Sequence, residues 1–334
     1  MNFFSPTESE TRTPKSSRPS LRSGSLRKKL TGKRDLIMDT STLSESSGTS
    51  LLHTEHSLRH QLIKRMELGQ LEHPEISETE AEIDEKITGP LPSDHQLFDG
   101  FAFILTKTTK PLQIDAESMS DEVEPYLEPT VYHKNYLRKQ LEAGGGTVLE
   151  RFEQAYADTS TTILVIANRP CRTERYVRSL AANIRAVSHD WVYQCCQRNK
   201  LLSWERYLLP PGIDLDGQVV EWTRGTGRCF HATRILLYGA TDFCDLWQPI
   251  LVQAQCVIVF RLRQHPDDLE LEDEAVLTDY VVTTRDCPTS IVESARRMNI
   301  PVVSSEWVVQ SLIHGQKLDP ASRPQFDYHF SPGA

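Results

Sequence analysis

Apolar and polar positions follow no repeating order over the first part of the chain, and they fall into short, regular blocks from Phe98 onward. Phe101-Ala-Phe-Ile-Leu-Thr106 is an apolar run of strand length, the pattern of a buried strand. An acidic stretch without period, 107–128, precedes a helical pattern through Tyr136, Leu137 and Leu141. That helix ends at Gly144-Gly145-Gly146, where glycine allows a left-handed stop and a sharp return into the strand Thr147-Val148-Leu149. Next come the strand Thr162-Ile-Leu-Val-Ile-Ala167, a helix over about 172–182, the strand Ala186-Val187 and a helix through Trp191. Strands alternating with helices predict an α/β fold with a small parallel sheet flanked by helices.

The same order returns further on. Residues 162–194 align without a gap on 278–310, and 12 of the 33 positions are identical, among them Thr173/Thr289, Asn183/Asn299, Ser188/Ser304 and Trp191/Trp307. Chance would leave about two. An offset of 116 residues is far longer than the 20–50 residues of solenoid units, so it marks a duplicated domain. Arg234-Ile-Leu-Leu-Tyr238 and Cys256-Val-Ile-Val-Phe260 repeat the strand–helix–strand opening, and Pro210-Pro211-Gly212 begins a connector that runs to about Arg228. The predicted domains are 94–209 and 229–330, joined by the connector 210–228.

Residues 1–93 predict a disordered arm. The first 50 contain 19 Ser or Thr and few large apolar residues, too little to offset the ordering entropy. Residues 12–34 carry nine Lys or Arg and no acid, densest at Arg27, Lys28, Lys29, Lys33 and Arg34. A solvated tail and a nuclear-import signal both fit that cluster. Leu58, Leu62, Ile63 and Met66 share one helical face, on a stretch too short to hold a helix alone in water. Acid-rich 72–85 follows, and Gly89-Pro90-Leu91-Pro92 interrupts any regular element.

Composition narrows the function classes. A net charge of −9 argues against general DNA coating but leaves room for a local basic pocket. The start lacks a basic-then-apolar export pattern, and no apolar run reaches the length of a membrane span. Seven cysteines without paired CxxC spacing fit a reducing compartment, and the 11 His show no metal-ligand spacing. No cofactor is expected. Gly144-Gly145-Gly146 lacks the Lys-Ser or Lys-Thr of a nucleotide cradle. Ser188-His189-Asp190 has the residue types of a triad, but consecutive side chains point apart and the second copy reads Ser304-Ser305-Glu306. No enzyme activity is expected.

Two features carry the remaining chemistry. Ser188 and Ser304 suit helix caps, and Trp191 and Trp307 suit large rings buried against the sheets. At the carboxyl edge of the first sheet, Thr106 meets Thr173 and Arg175 on the first turn of the next helix. Hydroxyls, free N–H groups, a helix N-terminus and a guanidinium suit a dianionic phosphate. A capping Thr173 and a solvated Arg175 explain the same residues without a ligand. The second copy separates the two readings: Arg172 becomes Pro288 and Arg175 becomes Ile291, while Thr173 persists as Thr289. On this comparison the threonine can be architectural, the two arginines are expected to be dispensable for the fold, and only the first copy can hold a phosphate.

Tandem units ending in V-S-x-x-W-V resemble BRCT domains, and the segments GPLPSDHQLFDGFAFILT (89–106), CRTERY (171–176), VSHDWV (187–192), RYLLPPG (206–212), PVVSSEWVVQSLI (301–313) and FDYHF (326–330) carry the likeness over nearly all of 89–330. Among such pairs the sequence is most similar to those of p53-binding DNA-damage adaptors. The resemblance implies a nuclear adaptor at damaged chromatin whose ligand is a phosphorylated histone tail. Its phosphoserine would meet Thr106, the N–H of Lys107, Thr173 and Arg175, with Arg172 on the peptide main chain or terminal carboxylate. Many such units have Gly where Lys107 stands and Lys where Arg175 stands. The resemblance also allows phosphate-independent binding of a p53-like DNA-binding domain and contacts with other repair proteins. A further alternative is an appendage of a DNA ligase or polymerase. No sequence-specific DNA contact and no membrane partner are implied, and residues 1–88 show no comparable match, including no methyl-lysine reader.

Overall fold

Two strand–helix units fold on one plan and press their helices together. The computed structural model of the chain describes residues 84–110, 126, 129–156, 160–223, 226–262 and 278–330. The basic and amphipathic stretches of the arm lie outside them, as does most of the acidic loop.

In the first unit, α1 (Glu85–Thr88) precedes β1 (Phe101–Leu105), α2 (Lys134–Ala143), β2 (Thr147–Val148), β3 (Thr162–Ala167), α3 (Glu174–Ala181), β4 (Arg185–Ser188) and α4 (Asp190–Arg198). The sheet is parallel, in the order β2-β1-β3-β4. The connector forms a short antiparallel pair, β5 (Gly212–Ile213) and β6 (Val219–Val220). The second unit runs β7 (Arg234–Tyr238), α5 (Thr241–Gln253), β8 (Ile258–Leu262), β9 (Tyr280–Thr283), α6 (Thr289–Arg297), β10 (Val302–Val303) and α7 (Ser305–His314). Its parallel sheet, β8-β7-β9-β10, repeats the first order.

Alternation along β1 sorts the layers. Phe103 and Leu105 face α2 and α4, packing with Leu137, Leu141 and Trp191. Ala102 and Ile104 face α3 and join a core that continues through Tyr176, Val177 and Leu180 into Trp247, Ile250, Trp307 and Leu312 of the second unit. The layers therefore run α2/α4, first sheet, α3, α5/α7, second sheet, α6. Both tryptophans are fully buried, and each indole N–H donates at 2.9 Å to a carbonyl eleven residues on, Trp191 to Leu202 and Trp307 to Leu318. The duplication is thus kept at the level of one hydrogen bond. The shared asparagines have a backbone reason: Asn183 and Asn299 each adopt φ 56°, a left-handed turn after α3 and α6 that asparagine tolerates.

Several expectations shift. The chain is already packed at Asp84, ten residues before the expected domain start. The Gln140 amide donates to the carbonyls of Thr88, Gly89 and Pro90, and Tyr136 Oη also donates to Gly89. Gly89-Pro90-Leu91-Pro92 is irregular, as its residues require, yet it lies seated as a strap. Gly145, at φ 84°, makes the left-handed return after α2, where a Cβ would come within 2.4 Å of the His95 carbonyl. The second strand of the second unit is 258–262 where 256–260 was expected. Ser304 occupies the residue before α7 but donates its hydroxyl to Gln325 O at 2.7 Å and caps nothing. Ser188 lies two residues before the start of α4, where its Oγ accepts from the Asp190 N–H at 3.3 Å.

His189, between Ser188 and α4, is fully buried against Tyr132 and Tyr193, and burial pushes its pKa below the ordinary histidine value. Its Nε2 meets Thr130 Oγ1 at 2.9 Å, and Ser188 donates to Asp190 at 3.0 Å, so the three consecutive residues form no nucleophile–base pair. An unfolded chain takes up a proton near the ordinary value that the folded His189 refuses. Stability therefore falls as pH drops from about 6.5 toward the lower folded value. Urea unfolding between pH 7.5 and 5 is expected to lose up to ~1.4 kcal/mol per pH unit more in the native chain than in His189→Gln. Equal slopes would show that His189 is not held neutral.

Candidate functional site

The carboxyl ends of β1 and β3 and the start of α3 meet at the edge of the first sheet. Thr106 follows β1 and Thr173 caps α3, its Oγ1 accepting from the Tyr176 N–H at 3.3 Å. The two hydroxyls lie 2.8 Å apart, and both residues are nearly buried. Either hydroxyl can donate to the other, and when Thr173 donates, the Thr106 proton is left for an outside acceptor. Cys171 Sγ stands 3.5 Å from Thr173 Oγ1. Arg175, on the first turn of α3, donates to Leu105 O at 2.9 Å and Glu150 O at 2.8 Å. Lys107 follows Thr106 and is half-buried. The structure thus gathers Thr106, Lys107, Thr173 and Arg175 at one place, with two hydroxyls, a guanidinium and the positive end of an eight-residue helix.

Arg172 turns the other way. Its Nη1 lies 2.7 Å from Glu306 Oε2, and the Glu306 side chain, on the first turn of α7, is 1% exposed. Gln310 Nε2 donates to the other carboxylate oxygen at 2.9 Å. This charge pair joins the two units at the rim of the site. Arg172 and Arg175 were expected to be dispensable for the fold because the second unit lacks them. Both carry structural bonds instead: Arg175 clasps the ends of β1 and β2, and Arg172 satisfies a buried carboxylate. Glu306 went unread as a partner because its position suits a first-turn acid equally well. The signal available was Gln310, one turn on, which a buried Glu needs.

Strand register identifies what fills the same place in the second unit. Tyr238 pairs with Thr283, which is the aligned counterpart of Ala167 opposite Thr106. Tyr238 and Ile291 therefore replace Thr106 and Arg175, and both are buried in one cluster with Leu236, Cys287 and Val292. Apolar side chains occupy the volume where the first unit has its hydroxyl and guanidinium. Among the described residues, no three His, Cys, Asp or Glu side chains gather as a metal ion would require, and no helix is long and apolar enough to cross a membrane.

Removing Arg172 leaves the buried Glu306 carboxylate without its counter-ion, and removing Glu306 leaves a part-exposed Arg172 and strands the buried Gln310 amide. Glu306→Ala and Arg172→Ala are each expected to cost about 2–4 kcal/mol in urea denaturation. The double variant should be milder than their sum by about 1–3 kcal/mol. Additive losses would show that the pair is not coupled.

The family model for the BRCA1 C Terminus (BRCT) domain matches residues 228–331, and a BRCT domain model matches 96–208. Solved structures of similar fold include yeast Rtt107p residues 820–1070, at 12% identity and TM-score 0.43, covering 72% of this chain and 95% of that one. The complex of Rtt107p with a phosphorylated histone aligns at 14% identity and TM-score 0.43, covering 72% and 96%. The BRCT5-BRCT6 domains of S. pombe Brc1 align at 15% identity and TM-score 0.39, covering 65% and 93%.

Proposed function

The chain belongs to the BRCT family, with two copies in tandem, and on that premise we propose that it is an adaptor that reads a phosphorylated serine in a partner peptide. The observation that carries this reading is the asymmetry of the two edges. The Thr106–Thr173 hydroxyl pair with Arg175 is present in the first unit and replaced by buried Tyr238 and Ile291 in the second. A fold that needs only its core fills that position with apolar atoms, as the second unit does. The first unit keeps hydrogen-bonded polar groups there instead, and their remaining donors face the sheet edge where an anion can use them.

In this role Thr106 donates its hydroxyl proton to a phosphate oxygen. Thr173 holds Thr106 in place, and the helix N-terminus and Arg175 supply the countercharge. Arg175 already donates two hydrogen bonds to carbonyls and has further N–H groups for an anion. Arg172 stands at the junction of the units, where a peptide leaving the phosphate would cross. Its bond to Glu306 orients the guanidinium for a main-chain carbonyl or a terminal carboxylate. The ligand proposed is a histone tail ending shortly after its phosphoserine, read in the nucleus at damaged chromatin. The structure of Rtt107p in complex with a phosphorylated histone has a ligand of this class on that protein.

Titration of one histone-tail peptide in phosphorylated and unphosphorylated form is expected to show binding of the first alone. Thr106→Val, which keeps shape and removes the hydroxyl, should weaken it by about 1.5–3 kcal/mol, and should cost about 1 kcal/mol of stability because Thr173 Oγ1 loses its buried partner. Arg175→Ile should abolish it and also cost stability, about 1–3 kcal/mol, for the two carbonyls it releases. Equal affinity for both peptides would discard the phosphate reading in favour of a phosphate-independent interface, such as one for a p53-like domain.

Nuclear entry is assigned to the basic stretch, with nine cations and no acid over 12–34. A fluorescent carrier fused to residues 1–50 should concentrate in nuclei and disperse when Arg27, Lys28, Lys29, Lys33 and Arg34 are neutralised. An unchanged distribution would remove that assignment.

A further inference from the structure

Six large apolar side chains stand exposed among the described residues, and four of them, Ile87, Leu91, Val131 and Leu201, belong to the first unit, at 43–54% exposure. Hydrogen bonds tie two of them, Val131 and Ile87, to side chains of α4, and the other two flank a third bond at its end. The Tyr193 hydroxyl donates to Val131 O at 3.0 Å, and Gln197, one turn further, donates to Ile87 O at 2.9 Å. Asn199, which ends α4, accepts from Ser93 N at 3.0 Å and fixes the strap two residues after Leu91 and two before Leu201. These bonds place the segments that carry all four residues beside α4, in the helix layer of the first unit that faces away from the second. Isolated exposed apolar residues need no explanation, but four on segments beside one helix mark a docking surface.

The chain supplies an occupant of matching shape. Leu58, Leu62, Ile63 and Met66 lie on one face of a helical wheel. Nine residues of helix span about 13.5 Å, the reach of two to three turns laid along α4. Such a stretch is too short to be helical alone, so it needs a surface to fold against. The described chain begins at Asp84, immediately before α1 and beside Ile87. The 17 residues 67–83 span roughly 23 Å as a flexible chain, enough to return along α4. A tether of that length holds the stretch at an effective concentration on the order of millimolar.

We propose that residues 58–66 dock as a helix on the apolar residues Ile87, Leu91, Val131 and Leu201, covering the outer face of the first unit. This contact lies on the opposite side of the first sheet from Thr106 and Thr173 and stands independently of the phosphate reading.

The test uses the full chain with a benzophenone amino acid in place of Leu62, irradiated and mapped by mass spectrometry. Cross-links are expected within the same molecule, to residues 86–92, 130–132 and 200–202. The exposed-residue pair Ile87→Glu and Val131→Glu should reduce them at least fivefold while phosphopeptide titration and thermal unfolding stay unchanged. In parallel, Leu62→Asp with Ile63→Asp should speed hydrogen exchange of the 85–91 amides several-fold. Cross-links scattered elsewhere, absent, or joining isotopically heavy and light chains in a mixture would each overturn the proposal, the last by making a second copy the occupant. Unchanged exchange would overturn it as well.

Discussion

The third helix of the first unit is buried from Tyr176 to Ala181, on both of its sides. One side of α3 covers the first sheet through Val177 and Leu180, and the other meets α5 and α7 around Trp247 and Trp307. Arg178, on the same helix and nearly buried, stacks 4.6 Å from the Phe152 ring, pairs with Glu153 at 2.8 Å and reaches Gln253 of the second unit at 3.5 Å. A helix held on both sides cannot rotate about its axis, so its first turn is fixed as well. The positions of Thr173, Arg172 and Arg175 are therefore consequences of a seam whose centre lies well inside the protein. Among the described residues, the second unit contributes no hydroxyl or guanidinium to the site edge. It contributes rigidity, and the one carboxylate that faces Arg172.

The connector belongs to that seam. A Cβ at Gly212 would fall 2.7 Å from Ile313, so β5 lies directly on α7. Tyr176 of α3 donates to Pro210 O at 2.6 Å, and Arg185 stacks 4.1 Å over the Trp222 ring. A segment expected to be a bend followed by a linker is pinned to both units at several points.

The architecture was legible because it is written twice. Asn183/Asn299, Val187/Val303 and Trp191/Trp307 recur at one offset, and each recurrence has a physical cause seen in the fold: a left-handed turn, a strand facing a core, a buried ring with one hydrogen bond. Differences between the copies were legible too, and they located the candidate site. What stayed hidden were contacts between residues far apart in sequence. Glu306 lies 134 residues from Arg172, and no local pattern distinguishes an acid that favours a helix start from one that satisfies a distant arginine. Asp84 to Ser93 read as broken chain because its order comes from Gln140, Tyr136, Gln197 and Asn199, side chains that supply the partners its irregular backbone cannot find locally. Ser304 shows the opposite error, a residue type correct for a cap whose hydroxyl is taken by Gln325 O.

Tyr238 and Ile291 also set a valency. By closing the second edge with buried side chains, they confine the proposed phosphate contact, among the described residues, to the first edge. A single-site reader responds to its mark in simple proportion, with a Hill coefficient of one, however densely the marks are arrayed. It gains nothing from two marks on neighbouring tails unless two chains are physically joined. Any sharp, threshold-like recruitment would therefore originate in how many copies are tethered together, because two edges of one molecule cannot cooperate when one of them is filled.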